Sequence, residues 1–506
     1  MTEKASYSQI LKSSAVMGGA ASITMILGMV KIKFAAILIG ASGIGLLANF
    51  IAIQGVVGAI TGLGIHSSAV RDVASAVANN DKQTIGQTVL TLRRICWLTG
   101  FVGLVTMMLL STILSQLTFE SNEYELDIAA LGIIILFTHI SAGQMALLQG
   151  MRRIDNLARV NIIGATAGTI VTIIFYLWIG LRGIIPALVV ASAIQLVISW
   201  LFARRESVPV VDMTWLESIR YAGGMVRLGL AFMWSGLLSS VVVYATNTMI
   251  TQQINLETVG IYTAAFALSG MFVNFVLNAM GADYYPRLAG VSDDMDAMNK
   301  LINEQTETGL LLAVPGLIAT LCLAPWIIQF FYSSEFLPAV DLLQWFVLGC
   351  MGRIVSWPLG YVVLAMGKAK WLIVSEAIVN VIHIMLISIG LNMLGIEGVS
   401  VAFFILYLIH ILINYGIARH LMGFYWAHTC RRLFLEVISV VIVTFMAVRL
   451  LPLWPATLIG LIITIVSLML CLRGLIKRIG TEHRLAHAAL RIPGVRLMCD
   501  FPKVAD

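Results

Sequence analysis

The chain has 506 residues, of which 59% are hydrophobic and only 11% charged, against roughly 25% charged in an ordinary soluble domain. A soluble core cannot absorb that much apolar sequence, so the composition excludes a soluble globular protein and assigns the chain to a bilayer. The net charge of +6 is scattered over short connections with no basic patch or aromatic reading surface, which excludes nucleic acid as a partner.

In chain order, the first signal is Ser6-Tyr7-Ser8-Gln9, a capping box that starts the first helix on the cytoplasmic side. The apolar run after Lys12 is too long for the hydrophobic region of a cleavable signal and reads as a retained span. Crossing about 30 Å of hydrocarbon takes roughly 20 helical residues. Fourteen stretches reach that length: 13–39, 44–66, 86–112, 127–148, 158–180, 183–203, 222–250, 259–282, 306–331, 339–366, 370–393, 397–419, 432–450 and 455–474. Beyond them Arg484, His487 and Arg491 recur at three and four residues, with Leu485, Ala488, Ala489 and Ile492 on other faces, up to Pro493. That pattern reads as a short basic amphipathic helix on the inner leaflet or as a solvated tail. The six cysteines are dispersed, with no spacing that implies a disulfide framework or a metal site.

The spans are written twice. Lys12 and Arg227, Gly45-Leu46-Leu47-Ala48 and Gly260-Ile261-Tyr262-Thr263, and Gly183-Ile184 and Gly398-Val399 all lie 215 residues apart. Arg71 pairs with Arg287 at 216, and Gly150-Met151-Arg152-Arg153 pairs with Gly367-Lys368-Ala369-Lys370 at 217. The expected fold is all-α, a polytopic membrane protein of about 14 transmembrane helices. It has six-helix lobes over 1–205 and 206–421, two additional helices over 422–474 and a basic cytoplasmic tail over 475–506. Six spans per repeat is an even number, so both halves enter from the same side and their pseudo-two-fold runs along the membrane normal.

Alternate connections carry Arg71/Lys82, Arg152/Arg153/Arg159, Arg204/Arg205, Arg287/Lys300, Lys368/Lys370 and Arg431/Arg432. The intervening ones are short or acidic, with Glu120, Glu123, Glu125, Asp127, Glu257, Glu335 and Glu397; Arg182 and Arg449 break the pattern. The positive-inside rule then puts both termini in the cytoplasm.

An ionisable side chain near the bilayer centre costs about 2.5–3.5 kcal/mol on insertion scales, so each one asks for a reason. Lys31 and Lys33 lie in the outer half of the first span. Two residues apart on a helix point roughly opposite ways, so either one faces a cavity while the other snorkels toward headgroups, unless Gly28 loosens the helix, or both snorkel. Arg353 sits mid-span among Gly349, Gly352 and Pro358, which suggests a loosened helix with the arginine facing protein or water; Glu376 is the candidate structural partner. Glu376, Asn380 and His383 share one face of the span 370–393, as a proton relay or as a polar helix seam. His139, Gln54, Asn274 and Asn278 either line the same cavity or make interhelical hydrogen bonds. No paired-carboxylate site, phosphate-binding Gly-rich loop or nucleophile elbow appears, and the connections are too short for an appended soluble domain, so no enzyme is expected.

Within the first 72 residues, Leu11-Lys12-Ser13-Ser14, Val30-Lys31-Ile32-Lys33 and Leu38-Ile39-Gly40-Ala41-Ser42-Gly43-Ile44-Gly45 resemble the polysaccharide transporter family, and more narrowly Wzx-type O-antigen flippases of Gram-negative bacteria. Gly260-Ile261-Tyr262 and Gly367-Lys368 are similar to that family's second lobe, so the resemblance covers about residues 8–420. It implies a two-lobed flippase of the superfamily that includes multidrug exporters and the lipid II flippase. The implied cargo is an undecaprenyl-pyrophosphate-linked oligosaccharide moved from the cytoplasmic to the periplasmic leaflet of the inner membrane, with Lys31 and Lys33 at the family's cationic first-span positions. Membrane lipids, a polysaccharide polymerase and a chain-length regulator are the implied partners. No cofactor is expected; coupling to protons, sodium or the membrane potential stays open. Many members have twelve spans, and the pair over 432–474 departs from that.

Two other readings compete. A cation-coupled multidrug exporter of the same fold should carry carboxylates in its central spans, and 13–39, 44–66, 222–250 and 259–282 contain none. A membrane-embedded polymerase or glycosyltransferase would want a large outer loop, and the longest here runs from about 113 to 126.

Overall fold

A computed structural model describes residues 3–79 and 81–479. The described residues form seventeen α-helices and no strand. They are α1 (Glu3–Leu38), α2 (Gly40–Gly62), α3 (Ile65–Ala78), α4 (Lys82–Phe119), α5 (Glu125–Gly150), α6 (Ile154–Ile179), α7 (Ile184–Ala203), α8 (Trp215–Tyr221) and α9 (Gly223–Gln253), followed by α10 (Leu256–Gly290), α11 (Met295–Cys322), α12 (Ala324–Phe331), α13 (Ala339–Ala365), α14 (Ala369–Leu394), α15 (Ile396–Met422), α16 (His428–Leu450) and α17 (Leu453–Ile479).

Thirteen segments are long and apolar enough to cross a membrane. One of them, Ile154–Ala203, is two helices, α6 and α7, joined by a 3-10 turn at Gly180–Gly183. Each of the fourteen expected spans therefore has its helix, and the protein is a multi-pass membrane protein. The exposed faces agree: on α14 Val374, Ile378, Val381, Met385 and Ile389 form an apolar stripe open to the surroundings, a surface only lipid tolerates.

Three short helices were not expected. The span read as 44–66 ends at Gly62, where Leu63 and Gly64 take left-handed φ of 49° and 62°. The chain then continues as amphipathic α3, which buries Ile65, Ala69, Val73 and Ala76. Helix α8 starts with a capping box of Thr214 and Glu217, a Thr-x-x-Glu signal legible in the sequence. Helix α12 is the third. The first helix already runs through position 6, from Glu3. The basic periodicity over 484–493 lies outside the described residues.

The chain divides into two compact units, Met1–Ile261 with Phe331–Glu335, and Tyr262–Phe330 with Phe336–Asp506. In the first, α3, α4 and α5 surround a core that includes Val73, Leu92, Cys96, Ala146 and Leu147. In the second, Tyr284, Met298, Ile302, Leu359, Val362 and Phe424 pack together, and the Tyr284 hydroxyl donates to the Pro358 carbonyl at 2.9 Å.

The repeat shows in backbone conformation. Gly180 closes α6 at φ 57°, ψ −131° and Gly395 closes α14 at φ 61°, ψ −145°, a region that only glycine occupies without strain. Three residues later Gly183 packs against the Phe175 carbonyl and Gly398 against the Gly390 carbonyl, the same contact in each copy. After α5 the left-handed residue is Arg152, and after α13 it is Gly367. These equivalences keep one offset, so Gly367 corresponds to Arg152 and not to Gly150.

The additional pair, α16 and α17, is tied into the second unit at both ends. Arg449 on α16 lies 3.7 Å from both Asp341 and Glu397 and sits over the rings of Trp345 and Phe445. Two carboxylates thus neutralise one of the two arginines that break the charge alternation. At the other end Arg478 on α17 donates to the buried Glu307 carboxylate on α11 at 2.7 Å. Removing the cation from a largely buried pair strands its carboxylate at a cost of about 1–3 kcal/mol. Arg478→Ala is therefore expected to lower the melting temperature in detergent, and Glu307→Gln in the same background should recover most of the loss. It also follows that a truncation testing the tail belongs after Ile479, since one after Lys477 removes Arg478 as well.

Candidate functional site

Helix α1 presents its two lysines to different surroundings, as a 3.6-residue period requires. Lys31 lines a cavity of about 580 Å³ inside the first unit, between α1, α6 and α7. Gly28 on α1 and Gly168 on α6 leave that space open, Gly164 on α6 admits the Gln195 side chain, and the polar heads reaching it include Asn161, Thr169 and Gln195. Among the described residues no carboxylate lines it. Among the described residues Lys31 makes no ion pair and no hydrogen bond.

Lys33 does not simply extend toward headgroups. Its ammonium donates to the Tyr332 carbonyl, and nearby the Glu335 carboxylate accepts from the Ala41 backbone N–H at 2.9 Å, beside Gly40 at the α1–α2 corner. Segment 331–335 is thus strapped to the end of α1 through both a lysine and a backbone donor.

In the second unit, Arg353 is half-buried on α13, which runs unbroken from Ala339 through Pro358 to Ala365. The flanking glycines do not loosen the helix. They admit α15, since a Cβ on Gly349 would lie 2.4 Å from Phe403 and one on Gly352 2.9 Å from Tyr407. No ion pair joins Arg353 to Glu376 or to any other carboxylate among the described residues. Asn414 orders the surroundings, with its amide 3.3 Å from the Ser356 carbonyl and 3.2 Å from His410 Nε2.

Glu376, Asn380 and His383 are all partly buried on α14. The Asn380 amide donates back to the Glu376 carbonyl at 2.7 Å, and the His383 ring lies 6.3 Å from that of Phe403 on α15. Among the described residues no hydrogen bond joins His383 to Glu376 or Asn380. His139 is not in the Lys31 cavity. It lines a separate one of about 250 Å³ beneath the α2–α3 corner, with His66 and Cys96. Gln54 is half-buried on α2, and Asn274 and Asn278 are exposed on α10.

Sequence reasoning missed Asn161, Thr169 and Gln195. A signal was available: Gly164 and Gly168 stand four apart with Asn161 one turn earlier, which puts all three on one helix face.

Residues 35–341 match the family described as polysaccharide biosynthesis protein. The lipid III flippase of Escherichia coli (strain K12) is 23% identical over 375 residues, covering 69% of this chain and 83% of that protein. The lipid III flippase of Shigella flexneri matches equally. Among solved structures, the lipid II flippase MurJ in an inward closed conformation superposes with a TM-score of 0.67 at 14% identity, over 93% of this chain and 99% of that one. An inward-facing multidrug resistance MATE family transporter of the MOP superfamily gives 0.64 at 13% identity, over 79% and 95%. These structural likenesses bear out the helical fold expected from the sequence.

Proposed function

This chain belongs to the polysaccharide biosynthesis protein family, and we propose on that footing that it is a flippase for undecaprenyl-pyrophosphate-linked oligosaccharide. It is a transporter and not an enzyme. It carries an O-antigen-type repeat unit from the cytoplasmic to the periplasmic leaflet of the bacterial inner membrane, with both termini in the cytoplasm, by alternating access of two lobes. The observation that carries this reading is a pair of cations with no carboxylate partner among the described residues, Lys31 and Arg353, each set in an apolar helix. A pyrophosphate diester brings about two negative charges that need such partners wherever water is excluded. Lys31 offers a point charge and Arg353 a planar fork for phosphate oxygens.

The energetics support outward movement. An interior-negative potential favours expulsion of an anion by about 2.3 kcal/mol per charge per 100 mV. The multidrug-exporter reading is weaker, since α2 and α9 contain no Asp or Glu and neither does α1 beyond Glu3. The reading is tested by deleting the gene in its native host and analysing surface polysaccharide together with undecaprenyl-linked intermediates. Depleted polymer with assembled repeat units left facing the cytoplasm is the expected result. Normal polymer, or polymer lost with no repeat unit assembled, would overturn it.

A further inference from the structure

We infer that the α1–α6–α7 cavity of the first unit is the seat of the first sugar ring of the cargo, an uncharged, hydroxyl-rich unit. This rests on the flippase reading and deepens it. The cavity is lined by one cation, Lys31, and four neutral polar side chains, Thr24, Asn161, Thr169 and Gln195. Side chains inside a protein normally find partners, yet Asn161 makes no hydrogen bond among the described residues. Among the described residues Gln195 donates to the Met145 sulfur at 3.8 Å, and its Oε1 packs on Gly164, where an added Cβ would lie 1.7 Å from it. Asn161 therefore keeps both donor and acceptor capacity and Gln195 a second N–H, the mixture that sugar hydroxyls, donors and acceptors themselves, can satisfy.

The remaining lining suits a ring better than a prenyl chain. Gly28, Gly164 and Gly168, with alanines between them, give a shaped floor with little apolar bulk. At about 580 Å³ the space falls within the range of roughly 300–1,000 Å³ typical of small-molecule sites. The absence of a carboxylate in the lining and the presence of a lysine favour a neutral ring carried on an anionic linker. The covalent order of the cargo fits as well: the first sugar is bonded directly to the phosphate that Lys31 would hold, so a sugar in this cavity places that phosphate at the lysine.

The test measures binding of two lipids to the purified full chain in detergent: undecaprenyl pyrophosphate, and the same lipid carrying a single neutral hexose. The Asn161→Ala/Gln195→Ala double variant should lose about tenfold or more in affinity for the sugar-bearing lipid, and change by less than about twofold for the sugar-free one. Lys31→Ala should weaken both. Gly168→Ala provides a second route, since an added Cβ meets nothing nearer than Ala191 at 3.8 Å; it should narrow the cavity and reproduce the selective loss in part, without a packing defect. Equal losses for the two lipids, or no loss for the sugar-bearing lipid in either variant, would overturn the assignment while leaving the flippase reading intact. Failure of the unaltered protein to bind either lipid would overturn both.

Discussion

Lys31→Ala and Arg353→Ala are each expected to abolish or strongly reduce display of surface polymer while the protein accumulates normally in the membrane. A charge-assisted hydrogen bond to an ionised ligand contributes about 1.5–3 kcal/mol, roughly ten- to a hundredfold in affinity. Among the described residues no carboxylate pairs with either cation, so removing one strands no buried partner there and the fold should survive. The conservative changes separate the two roles. Lys31→Arg should retain much of the activity, because a point charge tolerates the swap. Arg353→Lys should be the worse of the pair, because an ammonium cannot reproduce a two-pronged guanidinium. The measurements are polymer display and protein level in a deletion strain complemented with each variant. Normal display from both alanine variants would rule out the cationic mechanism.

The second large effect is expected at a backbone crossing. Helix α2 meets the first turns of α10 where Gly45 faces Gly260. A Cβ on Gly45 would lie 1.8 Å from the Leu256 carbonyl oxygen, and one on Gly260 would lie 2.0 Å from the Ala41 carbonyl oxygen. The contact is reciprocal: Ala41 relates to Leu256 by the same 215 residues that relate Gly45 to Gly260. Small residues at such a crossing let membrane helices approach to van der Waals contact. A carbonyl on a helix cannot swing aside as a side chain does, so even a methyl group must separate the helices. Gly45→Ala or Gly260→Ala should cost about 1–3 kcal/mol or more, with protein level falling several-fold and transport falling with it. Gly416→Ala is the control, since nothing lies within 4 Å of an added Cβ, and its level should hold. Unchanged protein and transport in both glycine variants would show that this crossing is not tight in the working protein.

Much of this was legible in the sequence, for identifiable reasons. Apolar length alone located the fourteen long helices, because a bilayer imposes one length on every span. The doubled landmarks showed the repeat, because Gly45 and Gly260 are required by a contact made with backbone atoms. Residue identity misled where conformation counts: Gly150 looked like the match to Gly367, while the left-handed residue in the first copy is Arg152, at φ 56°. Short amphipathic helices such as α3 lack the length signal and were read as connections. The Asp341–Arg449–Glu397 cluster brings together three helices that composition cannot align. The cavity residues Asn161, Thr169 and Gln195 were hidden for the same reason, since each looks like an ordinary interhelical polar residue until α1 packs beside α6.

The most direct measurement is reconstitution. Proteoliposomes carrying the purified protein and an undecaprenyl-pyrophosphate-linked oligosaccharide would be assayed for appearance of the sugar on the opposite leaflet, using a membrane-impermeant lectin. The account predicts protein-dependent transfer that quickens when the destination side is made positive, and little transfer with Lys31→Ala or Arg353→Ala. Folded, correctly inserted protein that leaves the sugar on its original leaflet would contradict it.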